Sequence, residues 1–543
     1  MTNALFSVPE PYNEPVRDYA PGSPERAALA AELDHQYGTK IEIPLIIGGR
    51  EVRTGRTVRC VCPHEHGHAL AEVHLAGPEQ LSLAVEAART ASGPWQRLPW
   101  QERAAVFLKM ADLIAGPHRL ALNAATMLGQ SKNAYQAEID AICELADFLR
   151  YNVHFMAEIY RGQPHSPRGT WNRMAYRPLE GFVLAVTPFN FTAIAGNLPT
   201  APAMMGNTVI WKPATTAVLS NYHLMRIFME AGLPPGVINF LPASGAEVGK
   251  TLLVHPELAG VHFTGSTGTF QTMWRTIGSH IEAYRGYPRI VGETGGKDYI
   301  FVHPSADPQA VAVAVVRGAF EYQGQKCSAV SRIYVPESLW PDLRDRIVAM
   351  MAEIRTGDVR DFGNFHNAVI ERAAFDRTMG YIDQARNSDQ AEIVAGGGGD
   401  DAVGYFIQPT LIRCLDPKFV TMREEIFAPV VSAYVYEDEK IAGTLDLLDD
   451  TSPYALTGAI FARDRQFIAA ATERLTHTAG NFYVNDKPTG SVVGQQPFGG
   501  ARASGTNDKA GSQLNLLRWC SARSIKENFN PPLVYDYPFM GKG

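Results

Sequence analysis

Cysteine is scarce in this sequence, with six residues in 543, which is too few for a disulfide framework. The scarcity favours a reducing compartment, and we expect a cytoplasmic protein. Long apolar runs are missing as well, so no membrane-spanning segment is expected. Residues 1–13 have neither a basic region before an apolar core nor a high arginine content. We therefore expect no secretory signal and no mitochondrial presequence.

Basic blocks are also missing, because charged residues make up 19% of the chain, mix both signs and give a net charge of −7. Nucleic acid is therefore not an expected partner. One group of potential metal ligands is present, formed by Cys60, Cys62, His64, His66 and His68. Its alternating spacing is typical of a solvated β-hairpin, so we expect no metal site.

The length exceeds what one hydrophobic core supports, so two or three domains are expected. From residue 183 onward, short β-branched runs alternate with helix-like segments, and this pattern predicts doubly wound parallel sheets. The expected strands of the first series are 183–186, 209–211, 237–241 and 260–263, with helices near 193–205, 216–232 and 245–253. The expected strands of a second series are 299–302, 332–335, 407–411, 430–435, 458–461 and 481–484.

The region before these series is predicted to be mostly helical. Ser23 and Pro24 predict the start of a helix that ends before Gly38. Residues 41–47 are typical of a strand. Apolar spacing predicts helices at 81–91, 101–115 and 134–160, and a hairpin is predicted from 174–177 and 182–186.

Cys327 is the strongest candidate for a nucleophile. A lone cysteine is more often a small buried hydrophobe, but Cys327 follows Lys326 in a turn that contains Gly324. Because positive charge lowers the pKa of a thiol, we expect the pKa of Cys327 to lie below that of free cysteine. Glu293, in a second glycine-rich turn, is a candidate general base. An exposed loop glutamate is the alternative interpretation.

Three strand ends of the first series carry further candidates. Asn190 follows one strand, and its amide could stabilise an oxyanion or be an ordinary turn asparagine. Lys212 follows the next strand and could bind a ribose or be an ordinary surface lysine. Gly265 and Ser266 follow the last strand, where a helix N-terminus would favour phosphate. An ordinary strand-to-helix turn explains these two residues equally well.

Together these segments resemble the aldehyde dehydrogenase superfamily over about residues 40–525. Seven segments match in the order that the family shows, namely 187–190, 212–213, 263–266, 293–296, 324–327, 424–427 and 497–500. The resemblance implies oxidation of an aldehyde through a cysteine adduct, with NAD as the hydride acceptor. The presence of Glu293 argues against the branch of the family that transfers the acyl group to coenzyme A.

The resemblance also implies roles for individual residues. Cys327 would be the nucleophile, Asn190 and the backbone amide of Cys327 would hold the oxyanion, and Glu293 would activate the water that releases the acid. The implied cofactor-binding residues are Thr187, Pro188, Phe189, Lys212, Pro213, Gly245, Gly265, Ser266, Gly295, Glu425 and Phe427.

A narrower similarity is to the branch of the family that oxidises L-glutamate γ-semialdehyde to L-glutamate in proline catabolism. It is carried by segments within 13–26, 189–191, 324–328 and 489–511. An aldehyde dehydrogenase for another semialdehyde is the alternative. The implied substrate-binding residues are Ser328, Gly490 and Ser491 for the carboxylate, Glu144 for the ammonium group, and Phe191 and Phe498 for the aliphatic part.

Two positions depart from the family pattern. Thr215 stands where the family often has an acid that disfavours the 2′-phosphate of NADP, so NAD and NADP both stay open as coenzymes. Ala428 stands where glycine usually follows Phe427, and its methyl group is expected to tighten the turn.

The implied fold is α/β and aldehyde dehydrogenase-like, with two doubly wound parallel-sheet domains and a small oligomerisation hairpin and tail. Residues 41–172 and 187–298 would form the dinucleotide-binding domain, and 299–514 the catalytic domain. An N-terminal extension (1–40) and oligomerisation elements (173–186 and 515–543) complete this organisation. A small-molecule substrate and a homodimer, or a larger homo-oligomer, are expected.

Two alternatives from other classes stay open at this point. A non-catalytic scaffolding protein would not need to keep Cys327, Glu293 and Asn190 together, yet all three are present. A cysteine hydrolase would need a histidine beside Cys327. No histidine occurs in a comparable turn near either motif, since His303 ends an expected strand, and the cofactor-type segments would be unexplained.

Overall fold

The computed structural model describes residues 4 and 6–541. Residues 1–3, 5, 542 and 543, which belong to the two predicted terminal elements, lie outside the described residues. The first of two seven-stranded sheets has, in spatial order, the strands Arg289–Glu293, Leu258–Thr264, Phe182–Val186, Thr208–Lys212, Ile238–Phe240, Leu45–Ile47 and Arg50–Val52. The first five strands are parallel, and the last two are antiparallel.

Side chains of the first sheet fill two cores, one on each face. Leu184 and Val186 pack into one cluster, whereas Val183 and Ala185 pack into the other. Successive side chains of a strand point to opposite faces, so both faces of this sheet are covered. Because the strand Phe182–Val186 is buried on both faces, its sequence is apolar throughout.

The second sheet repeats the arrangement. Its strands, in spatial order, are Ala391–Ala395, Thr410–Cys414, Val430–Tyr436, Val330–Pro336, Asp298–Val302, Thr457–Phe461 and Asn481–Val484. Only the first pair is antiparallel. Tyr299 and Phe301 belong to one core cluster, and Ile300 and Val302 to the other. The predicted pair of doubly wound, mostly parallel sheets is therefore confirmed.

Helices pack on and around both sheets. The α-helices are Pro24–Tyr37, Pro78–Arg97, Trp100–Ala115, Arg119–Gln130, Ala134–Ala137, Leu145–Arg161, Thr192–Met204, Val218–Glu230, Gly245–Thr251, Thr267–Ser279, Pro308–Phe320, Trp340–Glu353, Arg372–Arg386, Val420–Arg423, Ile441–Asp450, Arg465–Arg474 and Gln513–Leu517. Short 3₁₀ turns cover Thr215–Ala217, Ile281–Ala283, Glu321–Gly324, Asp438–Lys440 and Pro538–Met540, and a π-helix covers Glu138–Glu144. The Ser23 hydroxyl accepts a hydrogen bond from the Arg26 amide, which confirms the predicted helix start.

Smaller sheets lie outside the two large ones. Ile41–Ile43, Glu65–His74 and Thr57–Cys62 form a three-stranded sheet, and Thr170–Pro178 pairs antiparallel with Cys520–Asn528. Two short pairs join Gly399–Asp400 to Phe406–Ile407, and Tyr454–Ala455 to Ala501–Arg502.

Several local predictions were wrong. Residues 174–177 and 182–186 do not form a hairpin, because Thr170–Pro178 pairs with Cys520–Asn528, whereas Phe182–Val186 is a central strand of the first sheet. Part of the segment 173–186 therefore belongs to the dinucleotide-binding sheet. Residues 41–47 form two strands in different sheets, separated at Pro44, which cannot donate a ladder hydrogen bond.

Other predictions were incomplete. The helix predicted at 134–160 contains the π-helix Glu138–Glu144, and the helix Arg119–Gln130 was missed. The hairpin around residue 63 is present, but Cys60, Cys62 and His64 are buried, so it is not solvated as expected. Among the described residues, no group of three or more His, Cys, Asp or Glu side chains could hold a metal ion. No helix in the described part of the chain is long and apolar enough to cross a membrane.

We predict that Gly480→Ala destabilises the second domain. A Cβ atom at this position would lie 1.8 Å from the backbone oxygen of Gly499, which cannot move away as a side chain could. We expect a loss of at least about 2 kcal/mol in the free energy of unfolding, as for overpacked interiors, measured by urea denaturation. The matched control is Gly443→Ala in the helix Ile441–Asp450, where a Cβ meets nothing within 4 Å. Equal stability of the two variants would contradict the prediction.

Candidate active site

Cys327 lies in a strained turn that follows the helix Pro308–Phe320. Tyr322, Gln323 and Gly324 have φ values of 48°, 55° and 65°, all in the left-handed region. A side chain at Gly324 would approach the Ala428 oxygen to 2.3 Å, so glycine is required there. Cys327 is half-buried, whereas the other five cysteines are buried. Cys327 is thus the cysteine that a ligand can reach.

Buried amide side chains hold this turn in place. The Gln323 side chain donates to the carbonyl oxygens of Ser131 and Ala368, at 2.9 and 2.7 Å. The Gln325 side chain accepts from the Ile370 amide at 2.9 Å. These bonds offset part of the cost of the left-handed backbone, which is of the order of 1–3 kcal/mol per residue.

Asn190, the residue expected to bind the oxyanion, contacts the same turn. Its Nδ2 donates to the Gln325 oxygen at 3.0 Å, and its second N–H has no acceptor among the described residues. The side chain is buried and directed by the helix Thr192–Met204 that follows it. The free N–H is therefore available to an oxygen atom bound beside Cys327.

Glu293 ends the strand Arg289–Glu293 and is not an exposed loop residue. Its carboxylate accepts a hydrogen bond from the Gly500 amide at 3.1 Å. Burial raises the pKa of Glu293 well above its ordinary value, and Lys509 only partly opposes this rise. A carboxylate with a raised pKa is a stronger base, which suits the activation of water. The strand was missed because Gly292 and the glycines after Thr294 are typical of a loop.

The expected low pKa of Cys327 was wrong. Burial raises the pKa of this thiol well above the ordinary value, and the carboxylates of Asp298, Glu293, Glu425 and Glu144 raise it further. The ammonium group of Lys326 does not act on the thiol as expected, because it pairs with Glu321 at 3.1 Å. In the free protein, Cys327 is therefore a protonated thiol at neutral pH.

A cleft of about 660 Å³ lies between the two sheets and contains the predicted phosphate-binding turn. Its walls are Ser266, Thr267, Gly268, Tyr381, Lys418, Arg423, Glu424, Glu425, Asp450, Thr451, Pro453 and Tyr454. Ser266 caps the helix Thr267–Ser279, and its hydroxyl accepts from the Thr269 amide at 3.3 Å. The first amides of such a helix favour a phosphate group.

The remaining cofactor candidates lie at the carboxyl ends of the same parallel strands. Lys212 ends the strand Thr208–Lys212 and has no anionic partner among the described residues, and burial lowers its pKa. Its neighbour Pro213 is buried. Thr187 follows the adjacent strand, and its hydroxyl accepts from the Trp211 indole at 3.0 Å. Gly245 begins a short helix with open space beside its Cα.

Glu425 lines the cleft, and Phe427 follows it two residues later. The Glu425 carboxylate accepts from the Gly296 amide at 2.9 Å, and a side chain at Gly295 would clash with it at 2.1 Å. Burial raises the pKa of Glu425 to about 7. Phe427 has a left-handed φ of 59°.

The turn at Phe427 also brings two aromatic rings together. The ring of Phe427 packs edge-on against the ring of Phe189, which follows Pro188, with 5.8 Å between the centroids. The extra methyl group of Ala428 is buried in the core of the second domain. The turn at Phe427 therefore accommodates this departure from the family pattern.

These residues fit a dinucleotide. Lys212 supplies a donor at a strand end, and Ser266 precedes a helix whose first amides suit a phosphate group. Ser266 and Glu425 line the same cleft. The absence of side chains at Gly265 and Gly295 allows a close approach to the backbone. Thr215 opens the 3₁₀ turn after Lys212 and carries no charge.

The residues predicted to bind a substrate carboxylate come together. The Ser328 hydroxyl is hydrogen-bonded to that of Thr489 at 2.8 Å, and Thr489 precedes Gly490 and Ser491. Gly490 has a φ of 90°, which a side chain would disfavour. Lys487, which the sequence analysis missed, donates to the Thr489 oxygen at 3.0 Å. The sequence feature that could have indicated Lys487 is its position three residues before Gly490.

Glu144 ends the π-helix Glu138–Glu144 and has no hydrogen-bond partner among the described residues. Burial and, to a smaller extent, the neighbouring Asp140 raise its pKa to about 8, although Lys132 opposes the rise. A cation bound beside Glu144 would favour its ionised form.

Lys132 is a buried cation that sequence reasoning did not single out. Its ammonium group bonds to Asp140 at 2.6 Å and lies 4.3 and 4.4 Å from the ring centroids of Phe191 and Tyr322. Phe191 is thus held by a cation–π contact. Phe498 is half-buried, and its backbone pairs with that of Ala510 at 3.0 and 2.8 Å.

Comparison with known proteins agrees with this geometry. The model of the aldehyde dehydrogenase family matches residues 51–525, and the chain belongs to this family. Among curated proteins, the mitochondrial Δ1-pyrroline-5-carboxylate dehydrogenase of Dictyostelium discoideum is 51% identical over 540 residues, which cover 99% of this chain and 97% of that protein. The human mitochondrial enzyme of the same name is 48% identical and covers 97% and 94% of the two chains.

Solved structures give the same result. The Mycobacterium tuberculosis Δ-pyrroline-5-carboxylate dehydrogenase bound with NAD is 52% identical, with a TM-score of 0.96 and coverage of 99% of this chain and 100% of that chain. A Thermus 1-pyrroline-5-carboxylate dehydrogenase with bound NAD is 32% identical, with a TM-score of 0.91 and coverage of 96% and 100%.

We predict that alkylation of Cys327 by iodoacetamide in the free protein keeps rising with pH beyond pH 9. The thiolate is the reacting form, and a pKa above the ordinary value means that the thiolate fraction is still growing there. The rate constant is obtained from loss of activity and confirmed by peptide mass, with Cys327→Ala as the unlabelled control. A plateau below about pH 8.5, the ordinary pKa of cysteine, would contradict the prediction.

Proposed function

We propose that the protein oxidises L-glutamate γ-semialdehyde, the open-chain form of Δ1-pyrroline-5-carboxylate, to L-glutamate with NAD, in proline catabolism. The observation that carries this proposal is the identity of about 50% over nearly the whole chain to proteins named for that reaction. The contacts of Ser328, Thr489 and Glu144 support it, since they offer hydroxyl donors and a carboxylate for an amino-acid substrate.

The proposed reaction begins when the Cys327 sulfur attacks the aldehyde carbon. The thiol proton must leave first, and the raised pKa of Glu293 makes its carboxylate a suitable acceptor. The carbonyl oxygen becomes an oxyanion held by the free N–H of Asn190 and the backbone amide of Cys327. NAD, when bound, supplies the hydride acceptor. After hydride loss the carbon is a thioester of Cys327. Glu293 then passes the thiol proton to solvent, and its carboxylate takes a proton from the water that attacks the thioester. The carboxylic acid is released as the Cys327 sulfur leaves and regains a proton from Glu293.

The proposed coenzyme contacts follow the strand ends. Lys212 would bind the adenosine ribose, the amides after Ser266 the pyrophosphate, and Glu425 the nicotinamide ribose. Phe427 would pack beside the nicotinamide ring. Thr215 adds no negative charge near the adenosine ribose, so a 2′-phosphate would meet no repulsion from it. We therefore propose NAD as the main coenzyme with some use of NADP.

The proposed substrate contacts bind the amino-acid end of glutamate semialdehyde and its aliphatic part. Ser328, Gly490 and Ser491 would donate to the α-carboxylate, and Glu144 would bind the α-ammonium group. Phe191 and Phe498 would flank the aliphatic part. Contacts remote from the aldehyde fix the position of its carbon relative to the Cys327 sulfur, which favours attack.

We also propose that the protein is a homodimer and that it is located in the cytoplasm. The ribbon formed by Thr170–Pro178 and Cys520–Asn528 is mostly exposed or half-buried, and Leu533 and Phe539 beyond it are 94% and 86% exposed. Large apolar side chains at such positions indicate a protein partner, for which a second copy of this chain is our proposal. Six free cysteines suit a reducing compartment.

The test of the proposed function is a steady-state assay with Δ1-pyrroline-5-carboxylate, run in parallel with NAD and NADP. We expect reduction of NAD, a lower kcat/KM with NADP, and no turnover by Cys327→Ala. Cys414→Ala is the matched control, because this cysteine is buried in a hydrophobic cluster and has no role in the proposed reaction. Turnover of simple semialdehydes but not of this substrate would refute the substrate assignment.

We predict that Glu144→Gln raises the KM for glutamate γ-semialdehyde about tenfold or more, because it removes the charge that faces the ammonium group; a lost charged hydrogen bond has an effect of this size. The kcat/KM for propanal, which has no ammonium group, should change less than twofold. Glu158→Gln is the control, on the same helical region but bonded to Gln513. Equal losses with both aldehydes would show that Glu144 acts only on the fold.

A further inference from the structure

We propose that residues 13–19, here called the N-terminal strap, are a positioning element for substrate recognition. The inference rests on the substrate contacts of the proposed function and extends them to a segment far away in sequence. The strap contacts both ends of the π-helix Glu138–Glu144 and also the loop that contains Gly490 and Ser491.

At one end of the π-helix, the strap holds Glu138, which is fully buried. The Arg17 amide donates to one carboxylate oxygen at 3.0 Å, and the Tyr19 hydroxyl donates to the other at 2.8 Å. Arg119 also pairs with Glu138, and Asn123 donates to it at 2.8 Å. Tyr19 makes this contact with a left-handed φ of 48°, a strained conformation for a bulky residue.

Just beyond the other end, the strap holds Asp147. The Glu14 amide and the Asn13 side chain each donate to its carboxylate at 2.7 Å. The Glu14 carboxylate in turn bonds Arg119 at 2.7 Å and Arg150 at 2.9 Å. Asp147 is three residues after Glu144, so the strap fixes the helix on both sides of the residue proposed to bind the ammonium group.

The strap also reaches the loop proposed to bind the carboxylate. The Asn13 side chain donates to the Val493 oxygen at 2.8 Å and accepts from the Gln495 side chain at 3.0 Å. One asparagine therefore connects the loop after Ser491 with the helix that carries Glu144. These two elements belong to different halves of the chain, and Asn13 ties them together directly.

The geometry explains why such a strap is useful. A π-helix is less stable than an α-helix and occurs mostly at functional sites. Refolding of Glu138–Glu144 into a regular α-helix would rotate Glu144 relative to the rest of the cleft. Holding both Glu138 and Asp147 prevents this change, and the bonds from Asn13 fix the distance to the carboxylate-binding loop. The strap therefore affects substrates that carry an ammonium and a carboxylate, and not the attack of Cys327 on an aldehyde.

The test compares two aldehydes in full-length variants. We expect Asn13→Ala and Tyr19→Phe to raise the KM for glutamate γ-semialdehyde about threefold or more, as for loss of buried hydrogen bonds to carboxylates. The kcat and the kcat/KM for propanal should stay within twofold. Tyr19→Phe keeps the packing of the ring, so it tests the inference if Asn13→Ala folds poorly. Glu10→Gln is the control, because Glu10 is exposed and has no partner among the described residues.

A double-mutant cycle separates positioning from general stability. Tyr19→Phe in a Glu144→Gln background should not raise the KM further, because the contact of Tyr19 with the π-helix affects the substrate only through Glu144. Additive effects, or equal losses with both aldehydes, would overturn the inference. The wild-type assay with glutamate γ-semialdehyde decides the proposed function separately. If the wild type uses that substrate and the strap variants have an unchanged KM, only the role of the strap is refuted.

Discussion

Exclusion of water from the ionisable groups around Cys327 is the constraint on which the site depends. Burial raises the pKa of Cys327 and Glu293 well above their ordinary values and that of Glu144 to about 8, and it lowers the pKa of Lys297 to about 7. Each shift favours the neutral form, as expected when charge loses its hydration. Burial therefore makes the charged forms of these four groups less favourable in the free protein.

The charged groups near the site are of two kinds, those that form ion pairs within the protein and those that have no partner there. Lys132 pairs with Asp140, Lys326 with Glu321, and Arg119 with Glu138, all within buried surroundings. Glu144 and Lys212, by contrast, have no partner among the described residues. A charge without a partner is unfavourable where it is partly shielded from water, so half-buried Glu144 and Lys212 are candidates for contact with a ligand that supplies the missing partner. This difference explains why Lys326, although adjacent to Cys327, does not activate the thiol.

Much of the fold could be predicted from the sequence because it depends on local patterns. Apolar strands and the glycine-bearing turns after them gave the two parallel sheets and placed Cys327, Asn190 and Ser266 at strand or helix ends. The predicted hairpin failed because it depended on long-range pairing. The strand Thr170–Pro178 pairs with Cys520–Asn528, more than 340 residues away, and no local feature of the sequence specifies that partner. The pKa of Cys327 was mispredicted because its burial and the carboxylates that the fold brings near it, among them Asp298 and Glu425, are not visible in the local sequence.

The π-helix was not predicted from periodicity, because seven residues are too few to distinguish its period from that of the α-helices on both sides of it. Tertiary contacts stabilise it here: buried Glu138 accepts hydrogen bonds from Tyr19 in the N-terminal strap and from Arg119 and Asn123 in the helix Arg119–Gln130. A helix that is held by such contacts is sensitive to distant residues in a way that an α-helix is not. The N-terminal residues, which look like an appendage in sequence, are therefore held against the helical region that carries Glu144.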